Sequence, residues 1–349
     1  MHKRHFSKLI LMIMLAFSVN VIVAQEDFTS SFNKAQRLSR TDIRTAVSDN
    51  QNNNSHIPVS IIKGKAEGPV FTIVAGVHGY EYPPIIATQE LLNEIDEGQL
   101  TGTLVIIPIA NIPSFYGRSP FVNPQDHLNL NRTFPGKPDG SVTEQIADFI
   151  TNTIIPVSDI FLDIHGGDAS EDLLPFVCYY NNEQKPEKTG LARQLAETSG
   201  FQYIVSYPYT LKDDQPAKYA FKQAVQLGKT ALSIESGKLG NVQEEAVALT
   251  KRGIYNMLAE LEMYPQSTEE NIAITQLKNQ VYMRAESQGI FFSDLRSGDT
   301  VKEGEVVGHV QDEFGKVSIE LKAPHSGIIL YKIGTPPVNV GETIMCIAY

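Results

Sequence analysis

Two histidines and two glutamates on three short segments carry the reactive side chains of this sequence. They are His78 and Glu81 in GVHGYE (76–81), His165 in DIHGG (163–167) and Glu235 in SIESG (233–237). Imidazole nitrogen and carboxylate oxygen are donors that zinc accepts, and two histidines with one carboxylate leave a fourth tetrahedral position for water. His78, Glu81 and His165 make that set, one Zn2+ per chain. The cation lowers the pKa of a coordinated water from about 15.7 toward roughly 7. A neighbouring carboxylate can then take the proton and pass it to a leaving nitrogen, and Glu235 is the residue free to do so. A lone H-x-x-E is a weak metal signal, because a polar helix start looks the same. Placement gives it weight.

Each segment closes an apolar run: FTIVAGV (71–77) before His78, DIFLDI (159–164) before His165, and TALSI (230–234) before Glu235. Strands that deliver polar residues at their carboxyl ends, with glycine beside them, match the ligand crevice of an open α/β sheet. From Pro58 to Tyr264 such runs alternate with helical stretches, among them PIIATQELLNEI and TEQIADFITNTII. That alternation predicts an α/β fold with a mixed, mostly parallel sheet and helices on both faces. After Pro265 the texture changes to short strands punctuated by Gly and Pro, which predicts a small all-β domain of barrel-sandwich type. Lys322 is followed by Ala323 and Pro324, which is not the setting of a lipoyl or biotinyl attachment site, so this domain reads as a lid beside the cleft.

The resulting division is a signal peptide over 1–24, a polar N-terminal segment over 25–56 that holds no more than a short helix, a catalytic domain over 57–265 and a β domain over 275–349. The leader rests on Lys3, Arg4 and Lys8 before the apolar LILMIMLAF (9–17), with Ala24 at the expected cleavage site. It is too short to span a bilayer, which needs about 20 apolar residues, so the mature chain is expected to be exported, periplasmic or secreted, with no membrane span. Removing the leader moves the formal charge from −11 to −14. An acidic chain gives no support to nucleic-acid binding, which wants a basic surface. Cys178 and Cys346 lie far apart in sequence and read as two buried free thiols. The sequence leaves a homo-oligomer open.

Between the first and third ligands runs FYGRSPFVNPQDHLNLNRTFPG (115–136), a long polar connection of the kind that tends to be functional. Arg132 offers a planar fork and Asn131 an amide, suited to a substrate carboxylate. Arg118 could hold the oxyanion that develops on a scissile carbonyl.

With GVHGYE, R-SPFVNPQDHLNLNRTFPG, DIHGG and SIESG in this order, the chain resembles the aspartoacylase and succinylglutamate desuccinylase family of the zinc carboxypeptidase clan, over roughly residues 58–349. The resemblance implies a sheet of zinc carboxypeptidase type, zinc on His78, Glu81 and His165, and Glu235 as general base and acid. It also implies Arg118 on the carbonyl oxygen and Asn131 with Arg132 on the substrate carboxylate. Many relatives carry aspartate two residues before the Asn-Arg pair, to orient the first zinc histidine; here Asn129 stands there, with Asp126 and Asp163 as other candidates. His127 occupies a place where many relatives have glycine. The expected activity is deacylation of an N-acyl amino acid or similar small carboxylate. Peptide trimming by the same residues is the enzymatic alternative, and a decayed binding protein is the non-enzymatic one.

Overall fold

The computed structural model describes residues 27–212, 214–265 and 272–349. The leader expected over 1–24 lies outside the described residues. The first part of the chain gives α1 (Phe28–Lys34), β1 (Ser39–Ser48), β2 (Asn54–Lys63), β3 (Ala66–Ala75), α2 (Tyr82–Glu94), β4 (Thr101–Ile107) and α3 (Ile112–Gly117). Next come α4 (Val142–Phe149), a π turn (Ile150–Ile154) that runs into α5 (Ile155–Val157), β5 (Ile160–His165), β6 (Glu171–Leu173), β7 (Phe176–Asn181), α6 (Pro186–Thr198) and β8 (Tyr203–Pro208). The catalytic part closes with α7 (Ala220–Gln226), β9 (Thr230–Glu235) and α8 (Glu244–Glu260).

All of these strands except β6, joined by β10 (Thr275–Leu277), form one nine-stranded sheet in the order β1-β2-β4-β3-β5-β9-β7-β8-β10. The centre of the sheet is parallel: β3 pairs with β4 and β5, and β5 with β9. Antiparallel pairing enters at β1-β2, β2-β4 and β7-β9. The central strands read as nearly unbroken apolar runs because helices cover both faces. Val74 and Phe161 pack on one side with α4 and α7, whereas Ile73, Leu162 and Leu232 pack on the other with α2, α6 and α8. The mostly parallel α/β architecture expected from the sequence is the one observed.

The C-terminal part folds as two small antiparallel sheets. Its strands are β11 (Gln280–Arg284), β12 (Gly289–Phe292), β13 (Thr300–Val301), β14 (Val306–Gln311), β15 (Val317–Lys322), β16 (Gly327–Ile333), β17 (Pro337–Val338) and β18 (Thr343–Ala348). One sheet runs β11-β18-β16-β13 and the other β15-β14-β12-β17. Phe291, Val310, Ile329, Ile344 and Ile347 form the core between them.

The structure revises the division of the chain in two places. The segment read as a polar lead-in supplies β1, a ten-residue edge strand paired along its whole length with β2. An edge strand with one solvated face needs few apolar residues, and only Ile43 and Val47 of β1 are buried, so its pattern is faint. The two parts of the molecule also exchange strands. β10 belongs to the catalytic sheet by parallel pairing with β8, while β6, from within the catalytic part, pairs with β16.

Candidate active site

The three ligand candidates meet where the sheet sequence and its turns bring them. Gly76 follows β3 with a φ of +67°, and a Cβ there would stand 2.9 Å from Ile109 Cα. This left-handed, tightly packed turn favours glycine, and it swings His78 over the strand ends. Glu81 takes the N-cap position of α2, yet its side chain makes no cap hydrogen bond. Its carboxylate faces the histidines instead: Oε1 lies 2.6 Å from His78 Nδ1 and Oε2 lies 3.0 Å from His165 Nδ1. All three residues are buried, and their ligand atoms lie within 4.8 Å of one another.

The far nitrogen of each imidazole has its own neighbour. His78 Nε2 lies 3.1 Å from Asn129 Oδ1, and the same oxygen accepts the backbone N–H of Asn131 at 2.8 Å. That second bond fixes which end of the amide faces the ring. His165 Nε2 lies 3.1 Å from Asp163 Oδ1, an ion-pair distance, and Asp163 Oδ2 accepts from Phe221 N at 3.3 Å. Asp163 and His165 share a face because they stand two apart on β5. Partners of this kind set tautomer and ring orientation at metal-binding histidines. With each Nε2 facing an oxygen at 3.1 Å, Asn129 Oδ1 on one ring and Asp163 Oδ1 on the other, both Nδ1 atoms are left to converge, and two imidazoles plus a carboxylate fit a zinc ion. Burial works against ionisation of Glu81, but His78 and His165 prevail and hold its pKa down at about 2. Burial likewise opposes the charged form of His165, and Asp163 and Glu81 outweigh it, so its proton affinity rises well above the ordinary range.

Of the three residues weighed for orienting His78, only Asn129 touches it. Asp163 serves the second histidine, and Asp126 accepts from the backbone and hydroxyl of Thr143 in the first turn of α4, both at 2.8 Å. His127 is exposed, with φ +59°. Glycine is the default residue in that conformation.

Glu235 ends β9 in register with His165 and lies with His78, Glu81 and His165 in the wall of one cleft of about 600 Å3. Burial dominates its environment and, with Glu81 and Asp163 acting against His165, pushes its pKa up to about 8. A carboxyl group poised near neutrality is suited to general acid-base work. Asn131 and Arg132 line the same cleft. Asn131 Oδ1 accepts from Ala220 N at 3.4 Å, and the Arg132 guanidinium lies 4.7 Å from the centre of the Tyr219 ring. Arg118 is not brought there: it is the exposed, left-handed C-cap of α3 and does not line the cleft.

Several cleft residues gave no sequence signal. Tyr219 and Lys222, at the start of α7, flank Arg132, with Lys222 Nζ 5.9 Å from the Tyr219 ring centre. Glu171 comes from β6, and Tyr282, Arg284, Leu330, Tyr331, Thr343 and Cys346 come from the C-terminal strands. The last group makes that domain a wall of the cleft. None lies in a motif; the C-terminal residues are brought in by the β6-β16 pairing, the Ser297 hydrogen bonds to Asp172 and the packing of Leu330 and Cys346 on Leu173, Phe176 and Cys178. Cys178 and Cys346 are both free and buried, and both line the cleft.

Comparison with known proteins agrees with this geometry. Residues 67–261 match the description "Succinylglutamate desuccinylase/Aspartoacylase catalytic domain". N-alpha-acetyl-L-2,4-diaminobutyric acid deacetylase of Halomonas elongata is 33% identical over 300 residues, covering 84% of this chain and 85% of that protein. The product-bound ectoine utilization protein EutE of Ruegeria pomeroyi superposes with a TM-score of 0.79 at 25% identity, covering 90% of this chain and 96% of its own. A succinylglutamate desuccinylase from a Silicibacter species gives a TM-score of 0.78, also at 25% identity, over 89% of this chain and 95% of its own. By the matched domain and the extent of this likeness, the chain belongs to the succinylglutamate desuccinylase/aspartoacylase family.

Proposed function

We propose that this protein is a zinc-dependent deacylase that hydrolyses the acyl-amide bond of an N-acyl amino acid, or of a similar small carboxylate, after export from the cytoplasm. The observation that carries this reading is the convergence of His78, Glu81 and His165 beside Glu235, in a cleft that also holds Arg132. Zinc bound to the three residues would supply Lewis acidity, which lowers the pKa of water from about 15.7 toward roughly 7 and polarises a carbonyl. The chain does the rest. Arg132 and Asn131 grip the substrate's free carboxylate and so place the amide; a guanidinium fork suits a planar carboxylate, and stacking on Tyr219 limits its swing. Glu235 takes a proton from the attacking water and delivers it to the departing amine. Asn129 and Asp163 hold the imidazoles in the binding tautomer, and the C-terminal strands narrow the cleft and exclude bulk water.

Export rests on the basic and apolar N-terminus, Lys3 to Phe17, with Ala24 beyond it. Mass spectrometry of the protein from its native cells should find the chain beginning at Gln25. For the reaction, the zinc-loaded protein is offered N-acetyl and N-succinyl amino acids beside dipeptides, with Nα-acetyl-L-2,4-diaminobutyrate included because of the Halomonas relative. Acyl amino acids should exceed dipeptides at least about tenfold in kcat/KM, one such factor being about 1.4 kcal/mol of transition-state binding. A preference for peptides would replace this reading with a carboxypeptidase.

A further inference from the structure

We propose that Glu171 determines specificity by receiving an ammonium group on the substrate's side chain, so that the preferred substrate is an N-acylated diamino acid; this rests on the deacylase reading above. Glu171 opens β6 and lines the cleft together with Glu235 and Arg132. Its backbone is pinned: its N–H donates to Asp168 O at 3.1 Å, and its carbonyl accepts from Leu239 N at 2.8 Å. On the side chain, Oε2 accepts from Asp168 N at 3.2 Å, while Oε1 has no hydrogen-bond partner among the described residues. Among the described residues no cation of the cleft pairs with Glu171. Arg132 lies over Tyr219, Lys222 lies 5.2 Å from the centre of the Tyr180 ring, Arg284 donates to Gly341 O at 2.8 Å, and Lys238 pairs with Asp172 at 2.9 Å.

Burial, with the nearby Asp168 and Glu81, pushes the Glu171 carboxyl well above the usual range, so an arriving ammonium is what would let it ionise, and a cleft that binds small molecules uses a few such polar groups to fix orientation. Beneath Glu171 the fully buried Asp168 holds Oδ1 against Ser170 N at 3.0 Å, whereas its Oδ2 has no partner. Two neighbouring carboxyl groups with unmet acceptor capacity make this wall a place for a donor-rich cation. The ring of Tyr331, from β16, lines the same space, and aromatic rings favour cations. Arg132 comes from the loop packed on α7, and Glu171 from the strand that joins the C-terminal sheet. An α-carboxylate and a side-chain ammonium can therefore be read by different walls in one pose.

The test measures binding first, by calorimetry on the zinc-loaded protein, with L-2,4-diaminobutyrate and L-2-aminobutyrate as probes. The wild-type protein should bind the diamino acid at least about tenfold more tightly. Glu171→Gln, which keeps the shape, and Glu171→Leu should each remove most of that ratio, and Glu171→Lys should shift preference toward L-glutamate. No discrimination by the wild-type protein, or an equal loss for both probes in the variants, overturns the proposal. Turnover of the Nα-acetyl forms is followed in parallel. Retained binding preference with no hydrolysis of any acyl amino acid rejects the deacylase reading and leaves the subsite standing. A fall in kcat with an unchanged preference makes Glu171 a proton-transfer group and rejects the specificity role.

Discussion

At the scale of single residues, the site separates side chains that converge on one point from one that faces it. His78 Nδ1, His165 Nδ1 and the Glu81 carboxylate meet within 4.8 Å, so removing one donor should cost the metal. His165→Ala is expected to lose most bound zinc in elemental analysis, and a stoichiometric ion in that variant would contradict the assignment. Glu235 lines the same cleft beside this cluster, and on its proposed role as proton carrier Glu235→Gln should keep zinc while kcat falls about 100-fold or more. The same residue predicts a pH effect in metal-free protein. Burial raises its pKa from 4.5 to about 8, so across that window the folded chain holds a proton that the unfolded chain releases. Stability therefore falls as pH rises from about 4.5 to 8. Thermal unfolding after chelation should show Glu235→Gln gaining on the wild-type protein as pH rises through this range; parallel curves would mean that Glu235 ionises normally. On the proposed role of Arg132 in holding the substrate carboxylate, Arg132→Lys should weaken substrates with a free α-carboxylate far more than their amides, because an ammonium cannot reproduce the planar fork. Equal kcat/KM losses for the pair would assign Arg132 to the fold.

Between residue and molecule, the element that matters most is the short β6. It begins six residues after His165 and pairs with β16, which ties the metal-ligand loop to the C-terminal sheet. Asp172 is the clasp: buried, it accepts from Lys238 Nζ and Ser297 Oγ at 2.9 Å each and from Ser297 N at 3.1 Å. Burial opposes its ionisation, but Lys238 and Ser297 hold its pKa below the usual 3.8, so the clasp persists until pH falls below that value. Asp172→Asn should destabilise the protein by about 1.5–3 kcal/mol, the range for hydrogen bonds to a charged group, measured at neutral pH by denaturant unfolding. An unchanged midpoint would place the tie in the backbone pairing alone. This clasp also marks where sequence reading stops. The parallel core was legible because strands buried on both faces are apolar throughout, and the converging residues were legible because His165 and Glu235 end such strands and His78 and Glu81 stand in the turn just after one. β1, β10 and Glu171 were not. An edge strand needs little apolar pattern, a three-residue strand has no periodicity, and a glutamate outside a motif acquires meaning only from the wall it joins. Arg118, a motif residue, stands exposed at a left-handed C-cap and is not among the residues that line the cleft.

At the scale of the whole molecule, the exchange of strands decides how many units fold. A boundary near Tyr264 would suit two bodies joined by a linker, with a soluble catalytic body that keeps its zinc. The topology argues otherwise. Ending the chain there removes β10 from β8, leaves β6 without β16, and uncovers Leu173, Phe176 and Cys178, whose buried cluster includes Leu330 and Cys346 from the C-terminal sheet. New sheet edges beside apolar surface are a route to aggregation. Yet a second core, around Phe291 and Ile329, lies wholly within the C-terminal strands, and taken alone it would favour separate melting. The contest is between that local core and the shared strands. Because β6 lies beside the ligand loop and pairs inside the C-terminal sheet, loss of either part strands backbone donors and acceptors of the other, and buried unpaired groups cost about 1–3 kcal/mol each. We therefore expect a single unfolding transition for the zinc-loaded protein, with far-ultraviolet dichroism and tyrosine fluorescence coincident and the calorimetric and van't Hoff enthalpies equal. Tyrosine is the natural probe, since the chain has no tryptophan and 14 tyrosines, among them Tyr207 and Tyr331 on the two sides of the cleft. Two separated transitions, with Tyr331→Phe altering the signal of only one of them, would show that the C-terminal sheet folds by itself and that β6 is a docked strand, not a shared one.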